Sequence, residues 1–512
     1  MATKGPREAR EEGPFMSDTR PNVLLITVDQ WPGHMLSCAG HPTVLTPTLD
    51  QLARNGIRYT NAYAETPICI PARRTLMTGT TTRTHGDRVF GTTNTMPKHL
   101  PTIADAFRGA GYQTLCVGKL HVYPPRDRIG FDNVLLSEEG RPHLGGPDDH
   151  DIYLADQGHP GKQFLHGMNN NNYMHRAWHL PEDCHVTNWA SFTMAREMRR
   201  RDPTRPAFWC LSYTAPHPPL VPLQTYMDLY RQFIPPAPLA APWSAADAEL
   251  PFALKMVRNY WPALPPHVLE EVRRAFYAMA THIDHQLRVV IGTLREEGLL
   301  DDTVILITAD HGDMLGDHGL YAKRTYYQGS SNIPCILVGR AADTRIGTDR
   351  VDHRLVGLQD VMPTLLDLAG IPVPATVEGQ SMLAPTPRAV LTGDTLENNG
   401  ATRMAHDGRH KLIWYPAGNA FQLFDLERDP TEVENRAADP DYGAIRARLA
   451  AALAEAAWGS DLDAGWVRDG VLHGFDPGPY PGRPDRSLSG QRGLHYPQPP
   501  AFAPDKMVGF PT

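Results

Sequence analysis

The amino-acid sequence predicts an α/β protein with a large, mainly parallel sheet sandwiched by helices and a smaller C-terminal α+β domain. Two observations support this fold class. From Pro21 onward, short apolar runs alternate with amphipathic stretches, which is the pattern of βα units around a parallel sheet. After residue 371 the pattern changes to short strands followed by one helix, which indicates a second domain. A chain of 512 residues, 41% of them hydrophobic, can bury both cores.

The helix candidates carry signals at their ends. In residues 46–56, Thr46 is the expected N-cap, Pro47 occupies the first helical position and Gly56 stops the helix. Residues 100–112 repeat this arrangement, and a longer helix is predicted over residues 265–297. The apolar strand candidates are residues 22–28, 114–117, 208–213, 304–308 and 335–339.

These elements divide the chain into segments. Residues 21–385 form the predicted large α/β domain, and residues 139–185 interrupt it as an insertion, because they are rich in Gly, His and Asn and have neither helical nor strand periodicity. Residues 386–470 are predicted to form the smaller domain, an antiparallel sheet plus a helix. We interpret residues 1–20 as a flexible leader. The Pro- and Gly-rich residues 471–512 are interpreted as an extended arm, available for contacts within a homo-oligomer.

Composition and charge exclude several classes of partner. The net charge is −8 and no long basic run is present, which argues against nucleic-acid binding. No window approaches the ~20 consecutive apolar residues of a membrane span, and the N-terminus has no apolar core of a secretory signal, so we predict a cytoplasmic protein. The six cysteines lack C-x-x-C spacing. Cys116, Cys210 and Cys335 lie in apolar runs, so we expect reduced core thiols rather than a disulfide framework.

Polar side chains follow four of the predicted strands, at the point where each strand ends. Open α/β sheets bind ligands at the carboxyl ends of their strands, so we expect these side chains to converge on one edge. Each one alone has a simpler explanation, such as a helix cap or a solvated loop residue, and only their conjunction indicates a site. The residues are Asp29, Gln30, Lys119, His121, His217, Asp310 and His311.

The chemistry of these side chains favours a metal-assisted hydrolase. Oxygen donors from Asp29, Gln30 and Asp310 suit a hard divalent cation, and an added His311 shifts the preference towards Mn²⁺ or Zn²⁺. Nearby cationic groups suit a tetrahedral oxyanion, because they neutralise its charge and donate hydrogen bonds. These cationic groups are Lys119, His121, His217 and Lys323. The arrangement predicts hydrolysis of a sulfuryl or phosphoryl ester.

The segment CIPAR, residues 69–73, continued by RTLMTG, resembles the C-x-P-x-R signature of the type I sulfatases. The resemblance extends over most of the chain, from PNVLLITVDQ through GYQTLCVGKLH, TAPHPP and TADHGDMLGDHG to LFDLERDPTEVEN. In that family the cysteine is converted after translation into Cα-formylglycine, and the hydrated aldehyde is the nucleophile. The resemblance therefore implies an alkaline phosphatase superfamily fold and a formylglycine-generating maturation enzyme that acts on Cys69.

The same resemblance implies a role for each site residue. It implies one divalent ion, with calcium the usual metal of the family. The implied metal ligands are Asp29, Gln30, Asp310, His311 and the diol derived from Cys69. Arg73 matches the residue that holds this diol. The implied set for sulfate binding and proton transfer is Lys119, His121, His217 and Lys323.

Two features of the sequence leave alternatives open. Many sulfatases have a second Asp and an Asn where this chain has Gln30 and His311, and a Gln–His pair resembles the phosphonate monoester hydrolases and some bacterial sulfatases. Lys119 and His121, in contrast, match the sulfatase pair. The sequence therefore favours a sulfuric ester hydrolase that acts on small-molecule sulfate esters. The alternatives are a phosphonate monoester or phosphodiester hydrolase and a non-catalytic binding protein in which Cys69 is never converted.

Overall fold

The structure is a computed structural model, and it describes residues 20–139, 147–168, 172–261 and 263–482. The predicted leader, apart from Arg20, lies outside the described residues. Most of the predicted C-terminal arm also lies outside them, and with it the proposed contacts of a homo-oligomer.

Eight strands of the described chain form one large mixed sheet. In chain order they are β1 (Asn22–Asp29), β2 (Ile57–Tyr63), β3 (Gln113–Gly118), β4 (Asn133–Leu136), β5 (Ala207–Pro216), β6 (Thr303–Ala309), β7 (Cys335–Val338) and β8 (Arg350–Gly357). Their spatial order is β4-β3-β5-β1-β6-β7-β2-β8. Strand β7 runs antiparallel to β6 and β2, and the other neighbouring strands are parallel. The prediction of a mainly parallel sheet is confirmed.

The central strands have continuous apolar sequences because helices cover both faces of the sheet. Every residue of β5 and β6 is buried, and so is every residue of β1 after Asn22. The five predicted strands correspond to β1, β3, β5, β6 and β7, whereas β2, β4 and β8 were not among the candidates. Cys116, Cys210 and Cys335 are buried free thiols, as predicted.

Two groups of helices flank the sheet: α1, α6 and α7 pack on α9, and α4 and α11 pack on α2. In chain order the helices are α1 (Pro47–Arg54), α2 (Cys69–Thr78), α3 (Thr82–His85), α4 (Ile103–Gly109), α5 (Asp149–Asp156), α6 (Val186–Arg199), α7 (Gln224–Arg231), α8 (Phe252–Tyr260), α9 (Pro266–Glu296), α10 (Gln328–Ser331), α11 (Val361–Leu368), α12 (Gly443–Ala456) and α13 (Ser460–Asp463). Helix α9 is the long helix predicted over residues 265–297. Within the described ranges, none of the helices combines the length and the apolar character that crossing a bilayer requires.

The cap of helix α1 differs from the prediction. Thr46 does not cap this helix with its side chain, and its Oγ1 lies 2.8 Å from the hydroxyl of Ser37. The carboxylate of Asp284, on helix α9, instead accepts the N–H groups of Thr48 at 3.0 Å and Leu49 at 2.8 Å. A side chain more than 200 positions away along the chain thus satisfies the free N–H groups of this helix, which local sequence signals could not show.

The C-terminal domain contains a four-stranded antiparallel sheet in the order β12-β11-β10-β9. Its strands are β9 (Leu391–Thr395), β10 (Thr402–His406), β11 (His410–Tyr415) and β12 (Ala420–Asp425). Helix α12 packs on this sheet around a second core that includes Leu412, Trp414 and Leu449. A short hairpin of β13 (Val467–Arg468) and β14 (Val471–Leu472) follows, so the first residues of the predicted arm are paired.

A buried arginine joins the two domains. Arg88, which follows α3 in the large domain, is 1% exposed. Its guanidinium contacts the carboxylates of Asp394 at 3.1 Å, Glu397 at 2.5 Å and Asp461 at 3.2 Å. It also lies over the ring of Trp458, 4.2 Å from the centroid. These contacts fix the small domain against the large one, since a buried cation of this kind needs all its partners in place.

Candidate active site and metal centre

The candidate site lies at the carboxyl ends of β3, β5, β1 and β6, which are adjacent parallel strands. Strand β1 ends with Asp29, and Lys119, His217 and Asp310 come directly after β3, β5 and β6. Because the four strands are neighbours, their ends meet at one edge of the sheet. The structure thus brings together the side chains that the sequence placed on four separate strands.

Four buried residues form a group that could hold a metal ion. Asp29, Cys69, Asp310 and His311 each offer one ligand atom, and these atoms lie within 4.8 Å of one another. His311 Nε2 lies 3.2 Å from Cys69 Sγ and 3.7 Å from one oxygen of each carboxylate. Its Nδ1 lies 3.0 Å from the carbonyl oxygen of Gly312, which assigns the proton to Nδ1 and turns the Nε2 lone pair towards the group.

The two oxygens of Asp29 have different surroundings. Oδ2 accepts hydrogen bonds from Lys119 and Arg73, whereas Oδ1 is buried and accepts none from the described residues. Burial alone would raise the pKa of Asp29, but the positive charges of Lys119, His217 and Arg73 together outweigh it and hold the pKa below its usual range. An ionised, buried carboxylate oxygen without a donor indicates a cation site, and this donor set fits a divalent ion.

Gln30, a predicted metal ligand, is held at the edge of this group. Its backbone N–H donates to Asp310 Oδ1 at 3.1 Å. Its amide nitrogen donates to Asp313 at 2.6 Å and to the hydroxyl of Tyr173 at 3.1 Å, and its Oε1 accepts from Lys323 Nζ at 2.6 Å. The amide oxygen therefore faces the lysine side of the site, and a role for Gln30 as a metal ligand stays a prediction.

Arg73 lies on helix α2, whose first residue is Cys69. The guanidinium donates to Asp310 Oδ2 at 3.0 Å and to Asp29 Oδ2 at 3.4 Å. Its NH1 also donates to the carbonyl of Lys119 and to the hydroxyl of Ser212, each at 2.9 Å. The planar guanidinium thus connects the two carboxylates to the end of β3 and to the middle of β5, which a single ammonium could not do.

The thiol of Cys69 stands where the sequence predicts a formylglycine hydrate, so its sulfur marks the position of the hydrate oxygens. Burial would raise the pKa of this thiol, but Lys323, His311 and Lys119 together hold it well below the usual range. The interaction with His121 acts in the same direction. Position 69 therefore favours negative charge on the atom that occupies it, as a nucleophile or an oxyanion requires.

A cavity of about 50 Å³ adjoins the site on the side of His217. Nε2 of His217 lies 2.8 Å from Lys323 Nζ, and Nδ1 lies 2.7 Å from the carbonyl oxygen of Pro218. Part of the segment predicted as an insertion lines this cavity, including Phe164 and Trp178. A leaving group that enters it would have its oxygen beside the imidazole.

The backbone around the site adopts uncommon conformations. Gln30 has φ 69° and His121 has φ 58°, in the left-handed region that costs a non-glycine residue about 1–2 kcal/mol. Gly118, at the end of β3, has φ 108°, and a Cβ there would lie 1.8 Å from the carbonyl oxygen of Ser212. Only glycine fits that position, and it sets the direction in which Lys119 leaves the strand.

Two carboxylates of the site were missed by the sequence analysis. Glu138 Oε1 accepts the N–H of His121 at 2.8 Å. Glu139 places Oε2 at 3.1 Å from Lys119 Nζ and Oε1 at 3.4 Å from His217 Nδ1. Both lie within three residues of the end of β4, so the strand-end rule would have found them had β4 been among the predicted strands. Glu139 was instead assigned to the start of the insertion.

Comparison with known proteins identifies the family. The family model described as Sulfatase matches residues 21–371, which is more than half of the chain. The chain belongs to the sulfatase family. A second model, described as N-sulphoglucosamine sulphohydrolase, C-terminal, matches residues 316–458 of this sulfatase-family protein. The resemblance carried by the CIPAR segment is thereby confirmed.

Relatives and solved structures agree with this assignment. The sulfatase-family chain is 33% identical over 441 residues to an arylsulfatase of Clostridium perfringens, covering 83% of this chain and 91% of the relative. It is 30% identical over 467 residues to a choline-sulfatase of Rhizobium meliloti, covering 85% and 86%. The phosphonate monoester hydrolase of Agrobacterium radiobacter has a similar structure, with a TM-score of 0.75 and 25% identity over 85% of this chain and 95% of that one. The predicted fold class is confirmed.

Proposed function

We propose that this protein hydrolyses sulfate esters of small molecules, with a formylglycine hydrate derived from Cys69 and one divalent metal ion. One observation carries the proposal. The buried Cys69 begins helix α2 between a carboxylate–imidazole group, which suits a metal, and the cationic side chains of Lys119 and Lys323, which suit a sulfuryl group. The membership of the sulfatase family supports the same reaction.

A bound metal ion would lower the pKa of the attacking hydroxyl, and the formylglycine hydrate would keep a second hydroxyl for expelling sulfate. Asp29, Asp310 and His311 would hold the metal, and Arg73 orients both carboxylates. The cationic residues on the other side of the site are then available to bind the substrate.

The cationic residues would bind the ester and move protons. Lys119 and Lys323 neutralise the sulfuryl oxygens as charge develops on them. His217, whose Nε2 lies 2.8 Å from Lys323 Nζ, shares a proton with that lysine and gives it to the leaving oxygen. His121, which lies beside position 69, takes the proton of the remaining hydroxyl.

The cavity beside His217 favours a compact, apolar alcohol or phenol as the leaving group. Of its described lining residues, none is lysine or arginine. Burial lowers the pKa of His150 to about 4 and that of His185 to about 3, so both rings are uncharged at neutral pH. Their nitrogens are engaged by neighbouring backbone or amide groups. A polyanionic saccharide would therefore find no lysine or arginine among the described lining residues to balance a second sulfate group.

The experiment compares substrates on matured protein. The protein is produced with a formylglycine-generating enzyme, and kcat/KM is measured for 4-nitrophenyl sulfate and for a phenyl phosphonate monoester. We expect the sulfate ester to be preferred. Cys69→Ala serves as the matched control, because it keeps the fold and removes the convertible thiol. Metal analysis of the same samples identifies the ion, with calcium the family expectation and Mn²⁺ or Zn²⁺ the alternatives.

The alternative of a phosphonate monoester or phosphodiester hydrolase rests on two observations. Gln30 and His311 are the pair that resembles those enzymes, and a phosphonate monoester hydrolase shares the fold. A higher kcat/KM for the phosphonate ester would favour this alternative over the sulfatase.

The third possibility, a binding protein without catalysis, has its own test. Mass spectrometry of the peptide that carries residue 69 measures the conversion of the thiol to the aldehyde. An unmodified thiol in every sample made with the maturation enzyme, together with no turnover of either ester, would favour a binding protein.

A further inference from the structure

We propose that Glu139 is a positioning residue for ester cleavage, which holds His217 so that its ring can deliver a proton to the leaving oxygen. The inference rests on the proposed function. Glu139 is 5% exposed, and its carboxylate spans two site residues. Oε1 lies 3.4 Å from His217 Nδ1, and Oε2 lies 3.1 Å from Lys119 Nζ.

The surroundings of His217 fix which nitrogen reaches the reacting groups. Nδ1 faces two oxygen acceptors, the carbonyl of Pro218 at 2.7 Å and the carboxylate of Glu139 at 3.4 Å, so this nitrogen carries a hydrogen. Nε2 is then the nitrogen that faces Lys323 Nζ at 2.8 Å. A carboxylate behind Nδ1 keeps the ring in this orientation and balances the positive charge of the ring and lysine pair.

Lys119 has a second carboxylate partner besides Glu139. Its ammonium also contacts Asp29, so it keeps a carboxylate partner when Glu139 is changed. The expected effect of losing Glu139 is therefore on proton delivery rather than on binding of the sulfuryl group.

Glu139 also stands where the leaving group would lie. Glu139 and His217 both line the cavity of about 50 Å³ beside the site. As an oxygen of the hydrate at position 69 bonds to sulfur, the S–O bond to the alcohol breaks and its electron pair moves to the leaving oxygen. That oxygen takes the proton that Nε2 of His217 shares with Lys323. Esters of weakly acidic alcohols need this proton more than esters of acidic phenols do, so they depend more on the position of the ring.

The test is the leaving-group dependence of Glu139→Gln in the matured, metal-loaded enzyme. A series of aryl sulfates is used, from 4-nitrophenyl sulfate to unsubstituted phenyl sulfate. We expect kcat/KM to fall less than about 10-fold for 4-nitrophenyl sulfate and about 100-fold for phenyl sulfate. A role in folding alone would lower kcat/KM by the same factor for every ester. Equal loss across the series, or no loss, would overturn the proposal.

Glu65→Gln is the matched control. Glu65 is also a carboxylate that is 5% exposed, and it accepts the backbone N–H groups of Leu358 and Gln359, outside the candidate site. The same exchange of acid for amide there is expected to leave kcat/KM unchanged for all esters. A change in the leaving-group dependence of Glu65→Gln would also overturn the assignment to Glu139.

Two further measurements keep the proposal testable if Glu139→Gln folds poorly. Glu139→Asp keeps the negative charge on a shorter side chain, so we expect a leaving-group dependence between those of wild type and Glu139→Gln. An equal fall of kcat/KM for every ester would count against the proposal. The Kd of an unreactive aryl sulfonate, measured by calorimetry, is expected to stay within about threefold of wild type in both variants, because Lys119 retains its ion pair with Asp29. A Kd weakened by more than about tenfold would overturn it. Failure of wild type to cleave any sulfate ester would instead refute the proposed function.

Discussion

Replacing Arg73 by lysine tests how the two carboxylates of the site are held. The guanidinium makes four contacts at 2.9–3.4 Å, with Asp310, Asp29, the carbonyl of Lys119 and the hydroxyl of Ser212. Arg73 is 3% exposed, so water cannot replace contacts that are lost. A lysine has one ammonium on a flexible stem and can satisfy only part of this set.

The expected magnitude follows from the contacts that lysine cannot make. If the ammonium keeps one carboxylate, one charged contact and two contacts with uncharged oxygens are lost. At about 1–2 kcal/mol for each of these three buried contacts, the free energy of unfolding falls by about 3–6 kcal/mol. The carboxylates and the end of β3 would also shift, and a displacement of about 1 Å in such a site lowers kcat/KM on the order of 100-fold.

The assay combines urea unfolding of the unconverted, metal-free protein with kcat/KM of the matured protein on 4-nitrophenyl sulfate. Arg403→Lys is the matched control, because Arg403 is 4% exposed and binds Asp461 through two nitrogens in the small domain. We expect Arg403→Lys to destabilise the protein comparably but to leave kcat/KM unchanged. A loss below about 1 kcal/mol in Arg73→Lys, or a kcat/KM within about twofold of wild type, would refute this reasoning.

Three other predictions concern groups whose environment only the folded chain creates. Burial, and secondarily the charge of Asp360, raise the pKa of Glu65 from 4.5 to about 7. The folded state therefore holds this proton to a higher pH than the unfolded state, so the stabilisation is complete below about pH 4.5 and is lost as the pH rises through about 7. Urea titrations should show the unfolding free energy of wild type falling by about 3 kcal/mol across this window relative to Glu65→Gln, and parallel curves would contradict the pKa. Gly118→Ala would place a Cβ 1.8 Å from the carbonyl oxygen of Ser212, so we expect the free energy of unfolding to fall by about 3 kcal/mol or more. Gly109 has open space around it, so Gly109→Ala should change the free energy of unfolding by less than about 1 kcal/mol, and similar values for the two variants would argue against the clash. Asp284→Ala removes the acceptor of two N–H groups of helix α1, which should cost about 1–3 kcal/mol and speed hydrogen exchange in that helix, and unchanged exchange there would mean that Thr46 caps the helix after all.

The strands that carry most of the site could be predicted from the sequence. Apolar runs such as that of β1 mark strands covered on both faces, and the residue after each run must lie at a strand end. For that reason the convergence of Asp29, Lys119, His217 and Asp310 follows from local patterns and one rule about parallel sheets. The short strand β4 was missed because its apolar run is only three residues long, and Glu139 was missed with it.

The amino-acid sequence by itself determined the family and the α/β order of elements, because each depends on residues close together in the chain. Only the tertiary structure decided the partners of those residues. Asp284 caps a helix more than 200 positions away, and Glu139 meets His217 from a neighbouring part of the sheet. Such contacts depend on the path of the whole chain. A buried charged group needs a partner, and packing of distant segments decides which side chain lies close enough to be that partner.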